Sequence, residues 1–90
     1  MKITHYDLGN LEKGRIVEVN LQGGYANVHL LDNSNYENYK NNRLFHHIGG
    51  LVKQPSIRLR TSHSAHWHIT IDLKGLQGSV ESTARVIPLT

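Results

Sequence analysis

The residues best equipped for chemistry are crowded into one segment, HSAHWHITID at 63–72. It holds His63, His66 and His68, three of the chain's seven histidines. Imidazoles bind transition metals through a ring nitrogen about 2.0–2.1 Å from the ion, and they exchange protons close to neutral pH. If residues 67–73 form a strand, His66 and His68 project from one face, about 6.5–7 Å apart at the backbone. Their rings can then converge on one zinc or iron ion, provided a third ligand arrives. His63 is the nearest in sequence, while His29, His46, His47 and Asp72 are further candidates. Against this stands a plainer reading, a row of polar side chains on the solvated face of a sheet, where Thr and His sit comfortably. Two histidines at i and i+2 are a weak motif without a third ligand at defined spacing. The sheet face is therefore the expected reading, and a His66–His68–His63 zinc or iron site the alternative.

Other reaction chemistries find less support. No serine stands in a G-x-S-x-G setting. The carboxylates Asp7, Glu12, Glu18, Asp32, Glu37, Asp72 and Glu81 are scattered, with no pair spaced for glycoside chemistry. His66 and His68 beside Arg58 or Arg60 would suit acid–base work on a phosphate ester, but most small basic proteins offer such a set. The chain has no cysteine, which excludes disulfides and thiolate metal sites. No catalytic residue is expected, and a non-enzymatic binding module is favoured.

Charge suggests the kind of partner. The formal net charge is +3, but residues 38–71 contain no Asp or Glu. They carry Lys40, Arg43, Lys53, Arg58 and Arg60, together with five of the seven histidines. A basic middle on a neutral frame points to an anionic ligand or an acidic protein partner. Single-stranded nucleic acid is a weaker candidate. It needs aromatic stacking platforms, which are few here, and Trp67 belongs to an apolar face. The opening residues lack the apolar run of a signal peptide, and no stretch approaches the roughly 20 apolar residues of a membrane span. A soluble, cytoplasmic protein is expected.

The elements that must position these groups are short alternating runs broken by Gly, Asn, Asp and Pro, the pattern of an all-β fold. In GRIVEVNLQ (14–22), Val17, Val19 and Leu21 alternate with Glu18 and Asn20. In YANVHLLD (25–32), Ala26, Val28 and Leu30 alternate with Asn27 and His29. The intervening Gly23-Gly24 predicts a hairpin. The polar stretch DNSNYENYKNN (32–42) predicts one short helix near 34–41, capped by Ser34 with Glu37, or by Asp32. RLFHHIGGLV (43–52) predicts a strand ending at Gly49-Gly50, a pair that marks a bulge or tight bend. SIRLR (56–60) sets Ile57 and Leu59 against Arg58 and Arg60. In WHITIDL (67–73), Trp67, Ile69, Ile71 and Leu73 face inward, opposite His66, His68, Thr70 and Asp72. SVESTARVIP (79–88) closes the sheet with Val80, Ala84 and Val86 inward. The expected fold is one domain over residues 1–90, an antiparallel β-sandwich or barrel of about six to seven strands with one short helix. Exposed edges at 55–60 or 1–4 would allow a homodimer.

THYDLG (4–9), LEKG (11–14), ANVHLLDNSNYENYK (26–40), GGLVK (49–53) and HWHITIDLKGL (66–76) together resemble DUF1883, a bacterial family known only as a domain of unknown function. The resemblance runs nearly end to end. It implies an all-β sandwich or barrel. Because such domains also occur beside TIR domains, it further implies an accessory or sensing role. It brings no catalytic residue set. It directs attention to the polar loop and helix, where binding residues concentrate on a rigid sheet. The candidate ligand- or partner-binding residues are Asn33, Asn35, Tyr36, Tyr39, Arg43, Arg58, Arg60, His66 and His68.

Overall fold

Period-two alternation of apolar and polar residues marks β-structure along much of the chain, and one polar insert forms a helix. The computed structural model describes residues 3–89. In chain order the elements are β1 (Ile3–Leu11), β2 (Ile16–Gln22), β3 (Ala26–Asp32), α1 (Asn33–Lys40), β4 (Ile48–Val52), β5 (Ser56–Arg60), β6 (Ala65–Asp72) and β7 (Glu81–Val86). They form two antiparallel sheets, one of four strands ordered β1-β6-β3-β4 and one of three ordered β5-β2-β7. The all-β sandwich is the expected fold, with its helix one residue earlier at both ends than anticipated. None of the described helices is long and apolar enough to cross a membrane.

The inward faces match the alternation. Val17, Val19 and Leu21 of β2, Ala26, Val28 and Leu30 of β3, and Trp67, Ile69 and Ile71 of β6 form one buried cluster, against which Val80, Ala84 and Val86 pack. Tyr6 bridges the layers, its hydroxyl donating to the Ser82 carbonyl at 2.8 Å.

The expected hairpin between β2 and β3 does not form. The two strands belong to different sheets, and Gly23-Gly24 is the corner at which the chain crosses the sandwich. Gly23 has φ 108°, and a Cβ there would lie 2.9 Å from the Ser79 carbonyl oxygen. A glycine corner is thus required by close backbone approach as well as by φ. Residues 43–47 are also not strand, since β4 begins at Ile48, and Gly49-Gly50 does not end the strand but lies within it, paired with His29 and Val28. Within β4, Gly49 has φ 105°, and a Cβ would lie 2.5 Å from the Val28 carbonyl oxygen.

Of the two anticipated free edges, 55–60 supplies β5, an outer strand of the three-stranded sheet. Residues 3 and 4 open β1, an outer strand of the four-stranded sheet. Met1 and Lys2 lie outside the described residues.

Candidate functional site

Histidine, carboxylate and amide side chains gather on the outer face of the four-stranded sheet, and strand register explains why. Pairing sets His5 opposite Thr70 and Asp7 opposite His68 on one side of β6. On the other side it sets Asn27 opposite Asp72 and His29 opposite Thr70. Three neighbouring strands therefore offer one polar surface. Asp32, at the end of β3, turns the chain over that surface. Its Oδ1 accepts from the backbone N–H of Asn35 at 3.0 Å and from the Asn35 side chain at 2.9 Å, which caps α1. Of the two expected caps, Asp32 is the one used.

Helix α1 consequently roofs the sheet face, which was expected to be solvated. His68, Thr70 and Asp72 are 4%, 0% and 3% exposed. The Tyr36 ring stacks on His68 and His5, with centroids 4.2 and 4.4 Å away. Buried polar groups must find partners, and two networks provide them.

The first runs from the helix into β1. His68 Nε2 lies 2.9 Å from Asn33 Oδ1, which can only accept, so this nitrogen carries the proton. His68 Nδ1 is then a lone pair that accepts from His5 Nε2 at 2.9 Å, and His5 Nδ1 accepts from the Tyr36 hydroxyl at 3.4 Å. Burial lowers the His68 pKa. Asp7 opposes that shift, while His5 and His66 add to it. Beside this chain, His66 Nε2 meets Asp7 Oδ1 at 2.6 Å. The Asp7 carboxyl is held below its ordinary range, first by the Gly9 N–H and then by His66. Among the described residues, Asp7, His66 and His68 form a group whose candidate ligand atoms all lie within 4.8 Å of one another.

The second network surrounds Asp72. Its Oδ2 accepts from the Tyr39 hydroxyl at 2.6 Å. Its Oδ1 accepts from Asn27 Nδ2 at 2.9 Å and from the Lys74 N–H at 3.1 Å. Burial alone would raise the Asp72 pKa, but these hydrogen bonds more than offset it and hold the group below its usual value. Burial, and then Asp72, raises the Tyr39 pKa, so Tyr39 is a neutral donor. Burial, followed by His47, lowers the pKa of His29 against an opposing pull from Asp72.

Over this second network opens a pocket of about 610 Å³. Its aromatic wall is His29, Tyr39 and Phe45, with Phe45 edge-on to both other rings at 5.6 and 5.2 Å. Lys40, Arg43 and Lys74 also line it. Lys40 shares its charge with Glu37 at 2.9 Å. Arg43 and Lys74 make no ion pair among the described residues.

The structure brings together most, but not all, of the residues expected from sequence. Asn33, Tyr36, His66 and His68 meet at the first network, and Tyr39 and Arg43 at the pocket. Asn35 is structural in its contacts, since its Oδ1 accepts from the His46 N–H at 2.8 Å and ties α1 to the loop before β4. Arg58 and Arg60 lie on β5, in the opposite sheet, where Arg58 pairs with Glu18 at 3.1 Å. The basic run along the sequence is thus divided between two layers. His63 also departs from its expected place beside His66 and His68. Its Nε2 turns to Asp32 Oδ2 at 3.0 Å, and Asp7 stands in the third position instead. Sequence reading missed Asp7, His5, Asn27, Phe45 and Lys74 as site residues. The one available signal was HYD at 5–7, which repeats the i, i+2 spacing of the histidine pair.

A family model described as a domain of unknown function (DUF1883) matches residues 1–89. No curated protein and no solved structure matches the chain.

Proposed function

We propose that this chain, which belongs to the DUF1883 family, is a binding module for a small anion that carries a flat unsaturated ring. The observation that carries this reading is the pocket of about 610 Å³, in which Lys40, Arg43 and Lys74 surround a wall of His29, Tyr39 and Phe45. Ligand sites of this size combine an apolar surface with a few fixed polar groups. Here the rings supply stacking area, Asn27 and His29 supply hydrogen bonds, and Arg43 and Lys74, which share their charge with no carboxylate among the described residues, select for negative charge. Asp72 is committed to Tyr39, Asn27 and Lys74, so its carboxylate serves the wall. A half-buried wall whose rings already pack on one another lowers the entropy cost of binding. Division of the arginines between two layers gives less support to a nucleic-acid track, which needs a continuous basic groove.

Calorimetric titration with adenosine monophosphate, a pyridine carboxylate and inorganic phosphate tests the proposal. A ring-bearing anion is expected to bind saturably and more tightly than phosphate. Arg43→Gln and Lys74→Gln should each weaken it about tenfold, equivalent to about 1.4 kcal/mol. If no ring-bearing anion binds, or if both variants bind as tightly as the parent, the reading is wrong. Tighter binding of a single-stranded oligonucleotide, with affinity falling steeply with salt, would replace it with the nucleic-acid reading.

A further inference from the structure

We propose that Asp7, His66 and His68 form a binding site for one divalent transition-metal ion of the zinc class, separate from the anion pocket. The three side chains come from two paired strands and present candidate ligand atoms within 4.8 Å of one another. A tetrahedral ion with bonds of about 2.0–2.1 Å needs its ligands somewhat closer than this limit, which small side-chain rotations supply.

A break in the β1 ladder sets up the group. Register runs evenly to Asp7 opposite His68, then shifts so that Gly9 meets Trp67. Gly9 has φ 74°, the left-handed conformation of a bulge glycine. The bulge lets Asp7 reach along β6 to His66, at 2.6 Å, from its place across from His68. The Gly9 N–H then holds the same carboxylate oxygen at 2.9 Å. The fold gains little from this arrangement on its own, because the Asp7 and His66 side chains are 56% and 39% exposed, and exposed ion pairs contribute little to stability.

The surroundings resemble those of a metal-bound histidine. Such ligands usually donate their second ring nitrogen to an oxygen acceptor, which fixes tautomer and orientation. His68 does so through Nε2 to Asn33 Oδ1, and its Nδ1 lone pair is left to bind the ion in place of the His5 N–H. Two imidazoles and one carboxylate favour zinc, cobalt or nickel over magnesium or calcium, which take oxygen ligands. His68 roots the site beneath α1, while the exposed side at Asp7 and His66 admits a water as fourth ligand.

The test is a titration of tag-free, chelator-treated protein with cobalt(II), followed by visible absorption and then by zinc competition. The expected result is one equivalent of bound cobalt with the absorption of a low-coordinate nitrogen–oxygen site, displaced by zinc. Asp7→Asn and His66→Gln should each weaken binding about 100-fold, since loss of even a supporting partner costs 10–100-fold. Both positions are solvent-accessible, and unchanged Trp67 fluorescence will show that the variants fold. His63→Ala and Arg43→Gln should leave cobalt binding unaltered. Absence of saturable cobalt or zinc binding would overturn the proposal. So would binding that survives Asp7→Asn and His66→Gln, or that disappears in His63→Ala.

Discussion

Replacing Tyr39 with Phe removes one oxygen atom and leaves the ring against His29 and Phe45. The lost hydroxyl donates at 2.6 Å to Asp72 Oδ2, on a residue 3% exposed. The other two donors, Asn27 and the Lys74 N–H, serve Oδ1, so Oδ2 loses its hydrogen-bond partner among the described residues. A hydrogen bond to a charged group contributes about 1.5–3 kcal/mol. Water entering from the adjacent pocket recovers part of this, which places the expected loss near 2 kcal/mol. In a domain of this size that lowers Tm by about 8–16 °C.

The loss should depend on pH. Asp72 has a folded-state pKa below its ordinary value. Its contribution is therefore fully present above the unfolded value of about 3.9 and disappears as pH falls through the folded one. In the variant, burial is offset less, so Asp72 takes up its proton at higher pH than in the parent. The gap between parent and variant should be widest near neutrality and should close on acidification. Urea denaturation followed by the fluorescence of Trp67, the single tryptophan and 2% exposed, gives the stabilities, and carboxyl NMR gives the Asp72 pKa. A loss below about 0.5 kcal/mol at pH 7.5, the range of ordinary surface substitutions, would refute the reasoning. So would a gap that widens as pH falls.

Gly49→Ala should cost about 3 kcal/mol or more or prevent folding, because a Cβ would lie 2.5 Å from the Val28 carbonyl oxygen at φ 105°. Gly9→Ala, at φ 74° with nothing within 4 Å, should cost only the conformational penalty of about 1–2 kcal/mol. Thermal melts of the two variants side by side check the contrast. Asp32→Ala should destabilise by about 1–2 kcal/mol through loss of the α1 cap, with faster amide exchange confined mainly to α1 and the His63 loop. His29 has a folded pKa lowered by burial, so its contribution to stability is full above about pH 6.5 and is lost as pH falls toward the folded value. Parent stability should therefore drop as pH falls below about 6.5, and His29→Gln should flatten that slope in denaturation series across the same range.

The positions and inward faces of β2 to β7 were largely legible in the sequence because alternation reports directly which side of a strand is apolar. β1 was not legible as a strand, because ITHYDLGNL carries no such apolar alternation. Alternation does not report which strand lies beside which. Val17 and Val28 carry the same signal whether their strands pair or face each other across a core, so a hairpin was expected where the chain crosses between sheets. The shared face of His66 and His68 was legible for the same reason. Its third member was not, because Asp7 lies 59 residues from His66 and reaches it through a long-range pairing and a bulge. The roof over His68, Thr70 and Asp72 was hidden by α1 itself. NSNYENYK has no aliphatic residue and no buried one, so nothing in its pattern indicates that it covers a surface. The separation of Arg58 and Arg60 from the site is likewise a matter of topology, which charge counting along the chain does not see.

Topology also governs how the chain is made. Among the described residues, only β3 and β4 are strands neighbouring both in sequence and in a sheet; every other pairing joins strands with at least two strands between them in sequence. Such distant closures must be made before they are rewarded, which slows folding. On the ribosome, β1 waits for β6, and β2 for β5 and β7. The order of assembly during translation is thereby set by the emergence of β6 and β7. A fragment stopping before residue 65 would leave β1 without its partner and β3 with one neighbour only, exposing strand edges that invite aggregation. Nascent chains should depend on holding chaperones until β6 and β7 have emerged.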